Sequence, residues 1–345
     1  MLINVPPDQP VRAPWEETPS MTNVLITGAG GFLGRRLARV IAAGAPLPGT
    51  DGGKGPASRL ELVDLTAPEP PAGAAMPVAC TAADLADPAT AAALGARGAD
   101  IVFHLAASLT LDAERAPDAA WAVNVEAPRR MAEAATGHPR FIFTSSIAVF
   151  GGDLPPETSD DLRPMPATGY GTHKAIAELM LADLSRRGRI DGRSLRLPIV
   201  VTRPGAPTPA VSDRIAALIR EPLAGRDVVS PLPPETLVPL ASAGAVVRAL
   251  LRLVAVTEDD LPPGRVLNLP ALTVTIGEIA AAVKARGATG GIGFAPEADL
   301  AHIVQGWPQH FVSARAEPLG IRPDASLDAL IADHLRHEGA GHVGS

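Results

Sequence analysis

The chain has 345 residues, 46% of them apolar and 3% aromatic, and its 30 basic against 37 acidic residues give a net charge of −7. That apolar fraction excludes an intrinsically disordered chain. The lack of a basic patch argues against a nucleic-acid partner, and no run reaches the ~18 apolar residues that a membrane span needs.

Residues 1–20 are Pro-rich and lack the basic start and apolar stretch of a secretory signal, so they read as a disordered extension; Met21 is an equally good start. Asn23-Val24-Leu25-Ile26-Thr27 is then a predicted strand, followed by a helix over 34–43. A Gly/Pro insertion over 44–58 leads to a second strand, Leu60-Glu61-Leu62-Val63, and Pro77-Val78-Ala79-Cys80 is a third. Asp100-Ile101-Val102-Phe103-His104-Leu105 is the fourth and Arg140-Phe141-Ile142-Phe143-Thr144 the fifth, with a helix over 117–136 between them. A helix over 172–187 precedes the sixth, read as Leu195-Arg196-Leu197 together with Ile199-Val200-Val201. Strands alternating with helix-length segments imply βαβ units, and their nearly continuous apolar character implies a sheet covered on both faces. The fold expected is therefore α/β, a Rossmann-type doubly wound parallel sheet. After Gly205 two Pro-rich stretches break the rhythm. Residues 21–205 are expected to form the nucleotide-binding domain, 206–338 a smaller substrate-binding portion, and 339–345 a flexible tail. The one cysteine, Cys80, forbids an intrachain disulfide and fits a reducing, cytoplasmic setting.

Chemistry concentrates at the strand ends. Thr27-Gly28-Ala29-Gly30-Gly31-Phe32-Leu33-Gly34 carries glycines 28, 31 and 34 in a G-x-x-G-x-x-G spacing between a strand and a helix. The first permits a tight turn, the second lets backbone approach a pyrophosphate, and the third lets the helix pack on the sheet. Amide donors at the helix start, Phe32 and Leu33 among them, complete the phosphate site. Asp64 ends the second strand, where a carboxylate accepts both ribose hydroxyls of NAD and repels a 2′-phosphate. Arg35 and Arg36 leave NADP open, although a solvated first-turn face is the stronger reading for both. Asp84 and Leu85 are placed to meet adenine, and the small residues at Leu105, Ala106 and Ala107 leave room for a nicotinamide ribose. His104 reads as a packed strand histidine.

Tyr170 is the only tyrosine, and Lys174 follows it by four residues, which puts both on one helix face. A phenol near pKa 10 is a poor base at neutral pH, and a neighbouring ammonium favours its phenolate. Ser146, with Ser145 as the alternative, offers a hydroxyl at the carboxyl end of the fifth strand, the edge where open α/β sheets bind ligands. Asn124 stands in mid-helix, where propensity disfavours it, so a hydrogen-bonding task is expected.

In this order the motifs resemble the extended short-chain dehydrogenase/reductase superfamily over residues 22–335. Longer stretches, including Phe141 through Gly152, Leu195-Arg196-Leu197-Pro198, Arg203-Pro204-Gly205 and Gly306-Trp307-Pro308, resemble its NAD-dependent D-erythronate dehydrogenases. The resemblance implies oxidation of a 2-hydroxy acid at C2 to give 2-dehydro-D-erythronate and NADH. It makes Tyr170 the base, Ser146 the group that positions the hydroxyl, Lys174 the tuning cation and Asn124 a relay residue. Pro198 joins the cofactor contacts, and a homodimer through the helices over 117–136 and 172–187 is implied. A carboxylate substrate calls for a basic partner; Arg203 is favoured over Arg214 and Arg220, and Thr110 is placed to line the pocket. Two positions depart from the family pattern: Ala206-Pro207-Thr208 follows Gly205, and His173 stands where Gln is common. A nucleotide-sugar epimerase or dehydratase shares the fold and the Tyr-Lys pair, but Ile147-Ala148 occupies the place of a dehydratase's Asp-Glu. A non-catalytic NAD-sensing module would be expected to lack Tyr170 or Lys174. His334, His337 and His342 read as a solvated tail, and no metal site is expected.

Overall fold

The computed structural model describes residues 22–49, 53–201, 210–298, 300, 304 and 306–338. The 1–20 extension, Arg203 and the 339–345 tail lie outside the described residues. The strands of the two larger sheets are β1 (Asn23–Thr27), β2 (Arg59–Asp64), β3 (Val78–Ala82), β4 (Ile101–His104), β5 (Arg140–Ser146), β6 (Asp191–Leu197), β7 (Ile199–Val201), β8 (Leu237–Ser242), β9 (Val266–Asn268) and β10 (Leu272–Thr275). Seven of them form one sheet in the order β9-β6-β5-β4-β1-β2-β3, every neighbouring pair parallel. The order reverses direction at β1, whose neighbours are β2 and β4, so the topological switch point lies just beyond Thr27 and His104.

The helices are α1 (Phe32–Ala42), α2 (Pro88–Gly95), α3 (Thr110–Arg115), α4 (residues 117–134), α5 (Gly169–Arg186), α6 (Val211–Leu223), α7 (Ala243–Ala255), α8 (Ile276–Ala285) and α9 (Leu327–Glu338). Successive residues of β1 serve opposite layers. Val24 and Ile26 face a core with Leu37, Ile41, Leu250 and Leu253, while Leu25 faces Leu94, Met131, Leu181 and Leu184. Both faces are therefore covered, which is why the strands read as unbroken apolar runs.

One predicted element divides in two. Pro198 has no N–H to give a ladder, and the chain changes partners there: β6 stays in the main sheet, whereas β7 joins a second sheet of order β7-β8-β10. A third core, with Ile199, Ile215, Leu240, Ile276 and Leu330, lies beneath that sheet. Downstream, the chain returns to the main sheet, where β9 pairs with β6. Among the described residues no helix is long and apolar enough to cross a membrane.

Candidate active site

The site is built at the carboxyl edge of the main sheet. Gly28 leaves β1 at φ +69°, in the left-handed region, and a Cβ there would sit 2.6 Å from the Ala106 backbone nitrogen. A Cβ on Gly34 would lie 2.1 Å from the Gly28 carbonyl oxygen. These two glycines bring the turn, the start of α1 and the loop after β4 within backbone contact. No side chain caps α1 at Gly31, and its first turn holds no acidic residue. Its free N–H donors and positive dipole end suit a pyrophosphate, so the cradle fits a dinucleotide. Phe32 and Leu33 open the helix half-buried.

Asp64 is half-buried at the end of β2 and receives the Gly30 N–H at 2.8 Å and the Leu65 N–H at 2.8 Å. Both oxygens retain accepting capacity toward a ribose. Gly30, which the glycine spacing passes over, matters here: a Cβ on it would stand 3.1 Å from the Asp64 carboxylate. Asp84 is exposed in a turn and accepts the Ala86 N–H, and Leu85 packs into the core beside α2 and α4. Arg36 is turned inward, donating to Asp333 at 2.5 Å, whereas Arg35 is exposed and donates to the Gly30 carbonyl.

Leu105, Ala106 and Ala107 are half-buried in the loop after β4. Asn124 ties down that loop: its Oδ1 accepts the Ser108 N–H and its Nδ2 donates to the Ser108 carbonyl, both at 2.9 Å. It does so from a single π-helical turn (Ala122–Glu126) inside α4, a distortion that gives Asn124 its inward aim. Asn124 Nδ2 also lies 3.4 Å from His173 Nδ1. Thr110 begins α3, half-buried, and Pro198 is buried at the junction of β6 and β7.

α5 brings in the phenol. Thr168 caps it by accepting the Gly171 N–H at 3.1 Å, and Glu114 of α3 accepts the Gly169 N–H at 2.8 Å. A Cβ on Gly171 would fall 1.9 Å from the Ala148 carbonyl oxygen, so only glycine lets α5 close on the turn after β5. That approach brings the Tyr170 phenol near enough to Ser146 for its hydroxyl to draw the phenol's pKa down. Ser146 Oγ also accepts the Ala148 N–H at 3.1 Å. Burial pushes the Tyr170 phenol up to about 12, against the pull of Ser146. One turn on, Lys174 is 1% exposed; its Nζ donates to the Thr144 carbonyl at 2.8 Å and lies 4.5 Å from the Phe143 ring centroid and 5.6 Å from that of Tyr170. Burial brings its ammonium down to about 7, with the Glu178 carboxylate opposing. His104 is wholly buried between Phe141 and Phe143, meets Thr27 Oγ1 at 2.9 Å, and is held down to about 3 by burial and by Lys174.

Ser145 points elsewhere. Its Oγ donates to Glu178 Oε1 at 2.5 Å, and Arg196 grips the same carboxylate through Nε and Nη2, each at 2.8 Å. Tyr170, Lys174, Ser146 and Asn124 thus converge on the edge that carries the glycine cradle, whereas Ser145, Leu85 and Arg36 are committed to the interior. Glu178, Arg196, Gly30 and Gly171 escaped the reading of the sequence. Of these only Glu178 carried a signal, a helical spacing of four residues beyond Lys174.

The family model described as the NAD dependent epimerase/dehydratase family matches residues 24–269. The D-erythronate dehydrogenase of Cupriavidus necator is 40% identical over 323 residues, 92% of this chain and 99% of that protein. The D-erythronate dehydrogenase of Haemophilus influenzae is 33% identical over 91% of this chain and 99% of its own. Among solved structures, a nucleoside-diphosphate-sugar epimerase from Agrobacterium tumefaciens superposes with a TM-score of 0.86 at 34% identity, covering 93% of this chain and 95% of that one.

Proposed function

The chain belongs to the NAD dependent epimerase/dehydratase family and is an NAD-dependent oxidoreductase, and we propose that it oxidises the C2 hydroxyl of D-erythronate, or of a close 2-hydroxy sugar acid, to the 2-dehydro acid. The observation that carries the chemistry is the helical spacing that sets the buried Tyr170 phenol one turn from the buried Lys174, with the Ser146 hydroxyl near enough to act on the phenol, at the sheet edge that carries the glycine cradle. The substrate follows the near-full-length relatives named D-erythronate dehydrogenase.

NAD, when bound, supplies the two-electron acceptor for the hydrogen that leaves the carbinol carbon. When NAD is bound, the amides at Phe32, Leu33 and Gly34 would hold its pyrophosphate, Asp64 its adenosine ribose, and Lys174 its nicotinamide ribose. Leu105, Ala106, Ala107 and Pro198 line the remainder. Tyr170 takes the hydroxyl proton, and Ser146 orients that oxygen by hydrogen bonding. Ser146 is favoured over Ser145 for this task because the Ser145 hydroxyl donates to Glu178. The burial that raises Tyr170 also lowers Lys174, so above pH 7 the pair has shed one proton between them. The tautomer with phenolate and ammonium is the one that acts as base. Thr110 lines the pocket from the start of α3, and Arg203 is assigned to the substrate carboxylate.

The test is NAD reduction, followed by absorbance, on a panel of C3 to C6 hydroxy acids and UDP-sugars. D-Erythronate is expected to give the highest kcat/KM. Turnover confined to epimerisation of a UDP-sugar, or no turnover with any hydroxy acid despite NAD binding, would sink the proposal.

A further inference from the structure

Beneath the site lies a buried charge cluster that the reaction as proposed does not use. Tyr170, Lys174 and Glu178 follow one another at four-residue steps on α5, so the three polar ends lie along one helix face. The Glu178 side chain is 4% exposed, that of Arg196 5%, and Ser145 as a residue 2%. Arg196 forks onto both Glu178 oxygens at 2.8 Å, and Ser145 adds a third donor at 2.5 Å. The Arg196 guanidinium also lies 4.9 Å from the centroid of Phe150, in the turn that follows Ser146. A carboxylate with this many donors is fixed in place. Its cluster ties α5 to the ends of β5 and β6, which are the elements that carry Lys174 and Ser146.

Lys174 has few other partners. Its Nζ donates to one backbone carbonyl and lies over the Phe143 ring. The charged and titratable groups around it are Tyr170, His173 and Glu178 on its own helix, His104 from β4 and Arg196 from β6. Glu178 is the only anion in that set. A buried ammonium without a counter-charge gives up its proton.

We propose that Glu178 is a positioning residue: held by Arg196 and Ser145, its carboxylate is the counter-charge that keeps the Lys174 ammonium in a site stripped of water. The proposal rests on the reading of Tyr170 and Lys174 as the reacting pair. Its test, however, reads the protonation of Lys174 without substrate or NAD, so it fails independently of that reading. The chain has three lysines, and Lys54 and Lys284 are exposed. In protein labelled with 13C at lysine Cε, the Lys174 resonance is therefore one of three and is assigned by its loss in K174M.

In E178Q the midpoint of that resonance is expected to fall by about one pH unit or more. In E178D, which keeps the charge, it is expected to stay within about 0.3 unit of the parent. The acid limb of kcat against pH moves down with it in E178Q, which a loss of packing alone would not do. If E178Q does not fold, E178Q/R196M removes the carboxylate without leaving a buried cation unpaired. A smaller downward shift is expected there, because the Arg196 cation leaves together with the carboxylate. A Lys174 midpoint that stays at the parent value in whichever of these variants folds overturns the proposal.

Discussion

Burial shifts both Tyr170 and Lys174, and the sign of the pH dependence expected of the proposed reaction follows from those surroundings. Burial favours the neutral form of each: the phenol rises to about 12 and the ammonium falls to about 7. Below pH 7 both protons are retained and no base is present; above it, one proton has left the pair. The kcat/KM for oxidation is therefore expected to rise with pH, about tenfold per unit on the acid side, and to level off above about 7. A bell centred below pH 6, measured in initial-rate assays, would contradict this. Tyr170→Phe is expected to lower kcat by about 10²–10⁴-fold with far-UV circular dichroism unchanged. Because the chain has no other tyrosine, loss of the alkaline absorbance change near 295 nm confirms that the variant has lost the right phenol. The pair was legible in the sequence because its spacing is local. The partner of Glu178 was not: Arg196 lies 18 residues beyond Glu178 on a different element, and only the folded sheet shows that they meet.

Two elements are shaped to serve the site at a local cost. Gly171 stands inside α5, where glycine costs a helix about 1 kcal/mol relative to alanine. The close approach to the Ala148 carbonyl is what it provides. Gly171→Ala should push α5 off the turn after β5 and draw the phenol away from Ser146. A loss in kcat of about 10²-fold is expected, since displacements near 1 Å have that effect, while NAD binding by fluorescence titration is retained. Full activity would mean that the helix yields without moving Tyr170. The π-helical turn of α4 is the second such element: it aims Asn124 at both backbone groups of Ser108. The sequence marked Asn124 as a misfit in a helix but gave no sign of the distortion, because a π-turn has no composition of its own. The division between β6 and β7 is a related case. Pro198 was plain to read, yet the consequence of its missing N–H, a change of sheet, depends on strands that come 40 residues later.

At the scale of the whole molecule, the parallel, doubly wound character of the main sheet followed from the alternation of strands and helices, whereas the links between distant segments did not. The clearest is Arg36, which the sequence offered as a solvated residue or a partner for a 2′-phosphate. In the fold its guanidinium is turned away from the dinucleotide edge to Asp333 of α9, 297 residues on, and Asp333 also accepts the Gly244 N–H at 3.1 Å. A Cβ on Gly244 would lie 2.3 Å from the Asp333 carboxylate, so α7 leaves room for this pair. One buried carboxylate thereby joins α1, α7 and α9. Removing one partner of a buried ion pair strands the other charge, which typically costs about 3–5 kcal/mol, far above the value of a surface pair. Asp333→Ala is expected to lower unfolding stability by that amount in urea titrations, and bound NAD should restore part of it because NAD binds only the folded α1. A change below about 1 kcal/mol would show that α9 does not brace the dinucleotide cradle, because a stranded, desolvated Arg36 has no other route to so small a penalty.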